Sequence, residues 1–181
     1  MQTPFDRSYW VIPGKFLAGY YPGDIKVDMM SFKLDELLKV GISTVINLME
    51  PDEINFYGEL FEPYEPYLIS LAQARDISVE CLRFPIEDMG IPTPEQMAQI
   101  LDTIDQRLSS NKSVYIHCLG GLGRTGTVVG CFLIRHHMAT SEDVLETISE
   151  LRIKDHALFG RSPQTFEQED FVINWGKNGV L

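Results

Sequence analysis

The chain is short of cysteine, of basic residues and of long apolar runs. Its three cysteines, Cys81, Cys118 and Cys131, are odd in number and lack framework spacing. That excludes a disulfide scaffold and favours free thiols in a reducing compartment. Lys and Arg total 15 against 26 Asp and Glu, a net charge of −11. Such a balance argues against broad binding to nucleic acid or an anionic membrane, both of which attract clustered Lys and Arg. A small positive site inside a cleft stays open. No apolar run is long enough to span a bilayer, and the opening MQTPFDRSYW lacks a signal-type apolar core. Repeats, low-complexity tracts and Ser/Gly-rich linkers are also missing. The expectation is one domain over residues 1–181, monomeric and cytoplasmic, with neither nucleic acid nor membrane as a partner.

What is present alternates between strand and helix. Trp10-Val11-Ile12 and Phe16 to Gly19 read as short strands about a Pro13-Gly14 turn. Apolar positions over 29–40 predict a helix with Asp28 as N-cap and Gly41 as its stop. Thr44 to Leu48 reads as a buried strand, residues 51–76 as broken helix, and Glu80 to Phe84 as a strand ending at Pro85. Thr93-Pro94-Glu95-Gln96 predicts a helix start with a capping box, the helix running to about Leu108. Ser113 to His117 is the next strand and a helix from Arg124 to Met138 follows. Further helices start at Ser141 and at Ser162-Pro163, the last reaching Trp175. The pattern predicts an α/β domain with a largely parallel sheet of about four to five strands flanked by helices.

The stretch Val114-Tyr115-Ile116-His117-Cys118-Leu119-Gly120-Gly121-Leu122-Gly123-Arg124-Thr125-Gly126 carries the chemistry. Gly121 to Gly126 satisfies G-x-G-x-x-G, but a dinucleotide site needs a following strand that ends in an acidic residue, and none intervenes. A triphosphate-binding loop needs a lysine that is missing here. The third reading takes Cys118 and Arg124, with five residues between them, as the reactive pair. Glycines at 120, 121 and 123 let successive amides of residues 119–124 turn inward as a nest for a tetrahedral oxyanion. The helix beginning near Arg124 directs its positive end at the same point, and the guanidinium offers a planar fork to two phosphate oxygens. A cysteine at the base of this nest is surrounded by dipoles that favour thiolate, the form that attacks phosphorus and gives a phosphocysteine intermediate. His117 would orient the loop by hydrogen bonding, and Thr125 would donate to the sulfur. No cofactor or metal is required.

The His117 to Gly126 run resembles the signature of the Cys-based protein phosphatases, in their dual-specificity branch. Its Gly-Gly-Leu-Gly-Arg segment is most similar to the cyclin-dependent-kinase-associated phosphatase group and its microbial relatives. The likeness extends to Trp10–Gly23, to Val45–Leu48 and to Phe84-Pro85-Ile86-Glu87-Asp88-Met89-Gly90. It implies the protein tyrosine phosphatase-like fold and a general acid about thirty residues before the nucleophile, where Asp88 falls; Glu87 is the rival. Gln164-Thr165-Phe166-Glu167-Gln168 resembles a Gln-Thr-x-x-Gln segment in which a glutamine positions the hydrolytic water, which makes Gln164 and Gln168 supporting candidates. Arg161 is expected to face solvent. Met49 stands where some relatives carry a cysteine that protects the nucleophile as a disulfide; Cys81 or Cys131 would have to replace it. The uncharged Leu-Gly-Gly-Leu-Gly spacer disfavours a polyphosphorylated inositol substrate.

Other features weigh less. Cys131 is expected in a helix core and Cys81 in strand packing. His136-His137 diverge by about 100 degrees around a helix and make no metal site. The acidic residues at 142–155 and 167–170 are read as solvated faces. The resulting expectation is a metal-independent phosphatase of phosphotyrosine, phosphoserine or phosphothreonine in proteins, a kinase among its candidate partners. Turnover is expected to pass through a mildly acidic optimum. Two alternatives remain: a phosphatase of a small phosphomonoester, such as a nucleotide or inositol phosphate, and a phosphoprotein-binding pseudophosphatase.

Overall fold

A strand that is apolar on both faces belongs in the middle of a sheet covered on both sides, and Val114 to His117 occupies that place. The computed structural model describes residues 2–24, 26–55, 57–154 and 160–176. Among them five strands occur: β1 (Tyr9–Ile12), β2 (Phe16–Gly19), β3 (Ile42–Asn47), β4 (Glu80–Arg83) and β5 (Ser113–His117). Their order is β1-β2-β5-β3-β4. Only β1 runs antiparallel to its neighbour, across the Pro13-Gly14 turn; the other pairings are parallel. The expected α/β architecture is therefore present.

Six helices connect and cover the strands: α1 (Val27–Lys39), α2 (Glu65–Gln73), α3 (Pro94–Ser109), α4 (Gly123–Arg135), α5 (Val144–Lys154) and α6 (Phe166–Ile173). Strand periodicity divides them into two layers. Val45 and Tyr115 pack with Leu34 and Leu37 of α1 and Leu68 of α2. The neighbouring Ile46 and Ile116 point the other way, into a core with Ile104, Phe132, Ile148 and Val172 from α3 to α6. Parallel pairing then aligns the strand ends: Asn47 lies opposite both His117 and Arg83, and His117 lies opposite Gly19. Four carboxyl-terminal strand ends thus form one row, the position from which loops of an open α/β sheet build a site.

Several local expectations need correction. Lys26, not Asp28, is the N-cap of α1; Asp28 sits inside the first turn, where its charge still complements the helix end. Between 51 and 76 only Glu65–Gln73 is helical, because Pro51, Pro63 and the turn around Gly58 interrupt the rest. Thr93 caps α3 as expected, but the Gln96 side chain donates to Pro85 O at 2.7 Å instead of closing a capping box. α4 ends at Arg135, and Ser141 to Asp143 form a turn before α5. The Ser162-Pro163 bond is cis and precedes the last helix rather than starting it. That helix is capped by Thr165, whose hydroxyl accepts from Gln168 N while the Gln168 side chain accepts from Thr165 N, a reciprocal capping box. Replacing Thr165 with alanine should lower stability by about 1 kcal/mol in urea titration, the usual cost of a lost N-cap.

Candidate active site

The chain leaves β5 at His117 and enters α4 at Gly123, so Cys118 to Leu122 must turn within the row of strand ends. The turn is held by its carbonyls. Cys118 O accepts from His117 Nδ1 at 3.1 Å, Leu119 O from Tyr21 N at 3.1 Å, and Gly120 O from Arg7 Nη2 at 3.1 Å. Leu122 O accepts from Ser162 Oγ at 2.9 Å. In a planar trans peptide the next N–H points opposite to the carbonyl. The amides of Leu119, Gly120, Gly121 and Gly123 are therefore directed away from those outer partners, toward the concave side. Gly121 has φ 71°, and a Cβ there would lie 2.6 Å from Gly19 C and O. A Cβ on Gly123 would meet the Gln168 amide at 2.9 Å. Glycine is the side chain these two positions admit.

His117 is fully buried, and burial pushes its imidazole down to about 3. A neutral ring whose Nδ1 faces a carbonyl must carry its proton there. Nε2 then accepts from the Tyr64 hydroxyl at 2.6 Å, and burial raises the Tyr64 phenol well above its ordinary range. The ring thus tethers Cys118 O to α2's leading residue.

Arg124 is 2% exposed. Burial opposes its charge, but Glu53, Cys118 and Asp88 together outweigh this and hold the guanidinium above its ordinary range. Glu53 binds both Nη atoms, Nη1 also donates to Ile86 O at 3.0 Å, and Nη2 to Asp88 Oδ1 at 2.9 Å. These contacts use all four Nη protons and leave Nε–H without a partner among the described residues. The edge formed by Nε and Nη2 is thus blocked only by Asp88, whose side chain is 58% exposed.

Asp88 arrives there because its loop is tied at both ends. Ile86 N donates to Leu48 O at 3.0 Å, Gln96 Nε2 to Pro85 O at 2.7 Å, and Gln168 Nε2 to Gly90 O at 2.9 Å. Glu87, the rival carboxylate, is exposed and does not line the cleft. The cleft itself measures about 450 Å³, with Cys118, Leu119, Gly120 and Arg124 at its base and Tyr20 and Asp88 among its walls.

Cys118, Leu119, Gly120, Leu122, Gly123, Arg124, Asp88 and Gln164 thus line one cleft, whereas Gly121 packs behind it against Gly19 and Tyr20. Gln168 is not at the cleft surface: it is fully buried, its Oε1 accepting from Gln164 N and Thr165 N. Thr125 donates to Gly19 O at 3.4 Å, so in this structure its hydroxyl serves β2 rather than the sulfur. Arg161 is not simply solvated; it forms a two-point ion pair with Glu169, which is buried and not on a solvated face. All three cysteines are free. Cys131 packs in the same core as Cys118, whereas Cys81 and Met49 pack on the opposite side of the sheet. His136 is paired with Asp105 at 2.8 Å, and no group of three potential metal ligands occurs among the described residues. Sequence reasoning missed Glu53, Tyr64 and Arg7. A buried arginine demands a carboxylate, but spacing could not choose among Glu50, Asp52 and Glu53.

Two outcomes follow from this geometry. Gly121→Ala must displace the Gly19–Tyr20 backbone, so it should lower the melting temperature and weaken binding of inorganic phosphate or vanadate by at least ~10-fold. His117 binds a proton in the unfolded chain below about pH 6.5 but resists it when folded, so its contribution is lost as pH falls from about 6.5 toward 3. Native protein should lose up to ~2 kcal/mol more than His117→Gln between pH 7 and pH 5 in denaturant titrations.

Comparison with known proteins identifies the family and the fold. The family described as "Polymorphic toxin system, DSP-PTPase phosphatase" matches residues 23–138, which contain Asp88, Cys118 and Arg124 but not Gln164 or Gln168. An uncharacterized protein of Methanocaldococcus jannaschii is 38% identical over 55% of this chain and 57% of its own length. A phosphatidylglycerophosphate phosphatase of Arabidopsis thaliana is 29% identical over 65% of this chain, but only 31% of its own length is matched. The fold is shared with kinase associated phosphatase, solved with its catalytic-site cysteine replaced by serine, at TM-score 0.70 and 20% identity over 96% of this chain and 94% of that one. The chain belongs to the dual-specificity-type phosphatase family of the protein tyrosine phosphatase superfamily.

Proposed function

We propose that the protein hydrolyses phosphomonoesters through Cys118, with Arg124 as phosphate clamp and Asp88 as acid and base. The observation that carries this reading is the loop whose carbonyls are turned outward while Cys118 and the open edge of Arg124 share one cleft. An incoming phosphate takes the Nε and Nη2 edge and displaces Asp88 from Nη2. Glu53 and Ile86 O keep the guanidinium fixed from behind. The Cys118 thiolate forms an S–P bond as the ester P–O bond breaks, and Asp88 delivers its proton to the leaving oxygen. Water then attacks phosphorus, gives its proton to the Asp88 carboxylate, and the S–P bond breaks to release phosphate and thiolate. Charge on the transferring group is met throughout by the inward amides and the start of α4.

The substrate class we favour is a phosphorylated protein, since the overall charge of −11 and the uncharged loop spacer suit neither an anionic membrane nor a polyphosphorylated ligand. A second reading, a phospholipid headgroup or other small phosphomonoester, is supported by the activity for which the Arabidopsis relative is named. The first experiment measures phosphate release from phosphotyrosine peptide, phosphothreonine peptide and phosphatidylglycerophosphate, with EDTA present throughout. Native protein should release phosphate, Cys118→Ser should release none, and Asp88→Asn should lower kcat by ~10²–10⁴-fold. Undiminished turnover by Cys118→Ser would sink the mechanism.

A further inference from the structure

Beside the cleft lies a second hollow of about 560 Å³, bounded by the start of α1, Asn55, residues 59–62 and α2. The two share a wall, because Tyr21, Gly23 and Asp24 line both. That wall is well braced: the Tyr21 hydroxyl donates to Glu62 O, and its ring packs against Phe61 and Tyr64 at 5.1 and 5.5 Å. Val27, Leu60 and Tyr67 face the hollow and remain 57%, 64% and 40% exposed. Wet apolar side chains gathered next to a reaction cleft mark a place for a ligand rather than ordinary surface. The charged residues lining this hollow are all acidic: Asp24, Glu59 and Glu62. Asp24 is partly neutralised by Lys33 at 3.2 Å, which leaves the two glutamates to set the sign at the rim.

We propose that this hollow is the recognition groove for a phosphorylated polypeptide, and that it takes an apolar side chain together with a lysine or arginine from the residues flanking the phosphorylated one. The inference rests on the phosphatase reading above and adds a preference for the residues that flank the phosphorylated one. The two hollows adjoin across Tyr21, Gly23 and Asp24, so one extended segment crossing that wall would reach both. The apolar lining is complementary to an aliphatic or aromatic side chain, and the carboxylates to a cation beside it. An acyl chain would satisfy the lining, but the acidic rim and the acidic chain would repel the anionic bilayer that presents it.

The test uses two peptides with the same phosphorylated residue, one flanked by leucine and arginine, the other by serine and aspartate. Each is assayed with p-nitrophenyl phosphate and with phosphatidylcholine vesicles containing phosphatidylglycerophosphate as references. Val27→Asp and Leu60→Asp alter exposed positions away from Cys118 and should leave p-nitrophenyl phosphate turnover unchanged. Native protein should favour the leucine-arginine peptide by ~10-fold or more in kcat/KM, the order expected for one apolar contact, and both variants should erase that preference. Equal rates on the two peptides, with p-nitrophenyl phosphate still hydrolysed, would overturn the groove and leave the phosphatase reading standing. Loss of vesicle hydrolysis in the variants without a change on peptides would assign the hollow to an acyl chain and equally overturn it. No phosphate release from any substrate would remove the phosphatase reading and the groove with it.

Discussion

A guanidinium with almost no surface must find all of its partners inside the protein, and Arg124 organises its surroundings on that account. Its donors reach Glu53 after β3, Ile86 O and Asp88 after β4, while its own backbone begins α4 after β5. Three loops that leave adjacent parallel strands are thereby referred to one planar group. An unpaired buried charge is costly enough that these loops cannot relax independently. The alignment of Asn47, Arg83 and His117 at the strand ends is what makes so short a network able to close.

Three cations, Arg7, Lys33 and Arg124, line the cleft against two carboxylates, Asp24 and Asp88, in a molecule of net charge −11. Peptide planarity adds fixed dipoles to them by turning the amides that follow four externally held carbonyls inward. The supporting contacts come from far away in sequence: Arg7 from before β1, Tyr21 from after β2, Ser162 from the segment before α6, and Tyr64 through His117. The nest is therefore a property of the assembled sheet, not of residues 118–123 alone.

Much of this was legible in the chain. The parallel sheet and its strand count came from apolar runs, and the turn between β5 and α4 from glycine spacing, which are local signals. Asp88 required a resemblance, because a surface carboxylate carries no periodicity of its own; the structure brings it within 2.9 Å of Arg124. Glu53 and Tyr64 stayed hidden in a proline-broken stretch whose shape is set by tertiary contacts. Asp28 was misplaced as a cap because its residue type suits both that position and the first turn. Gln96 and Gln168 show the same limit in side-chain form: propensity located both at helix starts, but only packing reveals that each also reaches across to the Asp88 loop.

Those two glutamines give the loop a dependence on distant parts of the molecule. Its leading end hangs from α3 and its trailing end from α6, an eight-residue helix near the end of the described chain. Short peripheral helices open locally at far lower free energy than a central sheet. Opening of α6 alone would untie Gly90 while β5 and the outer carbonyl contacts at Leu119 and Gly120 persist. Under the proposed function, the resulting species would still hold an oxyanion yet lack a positioned proton donor. Binding and turnover would then be mounted on structural units of different durability, and gentle stress would separate a receptor for phosphate from a catalyst.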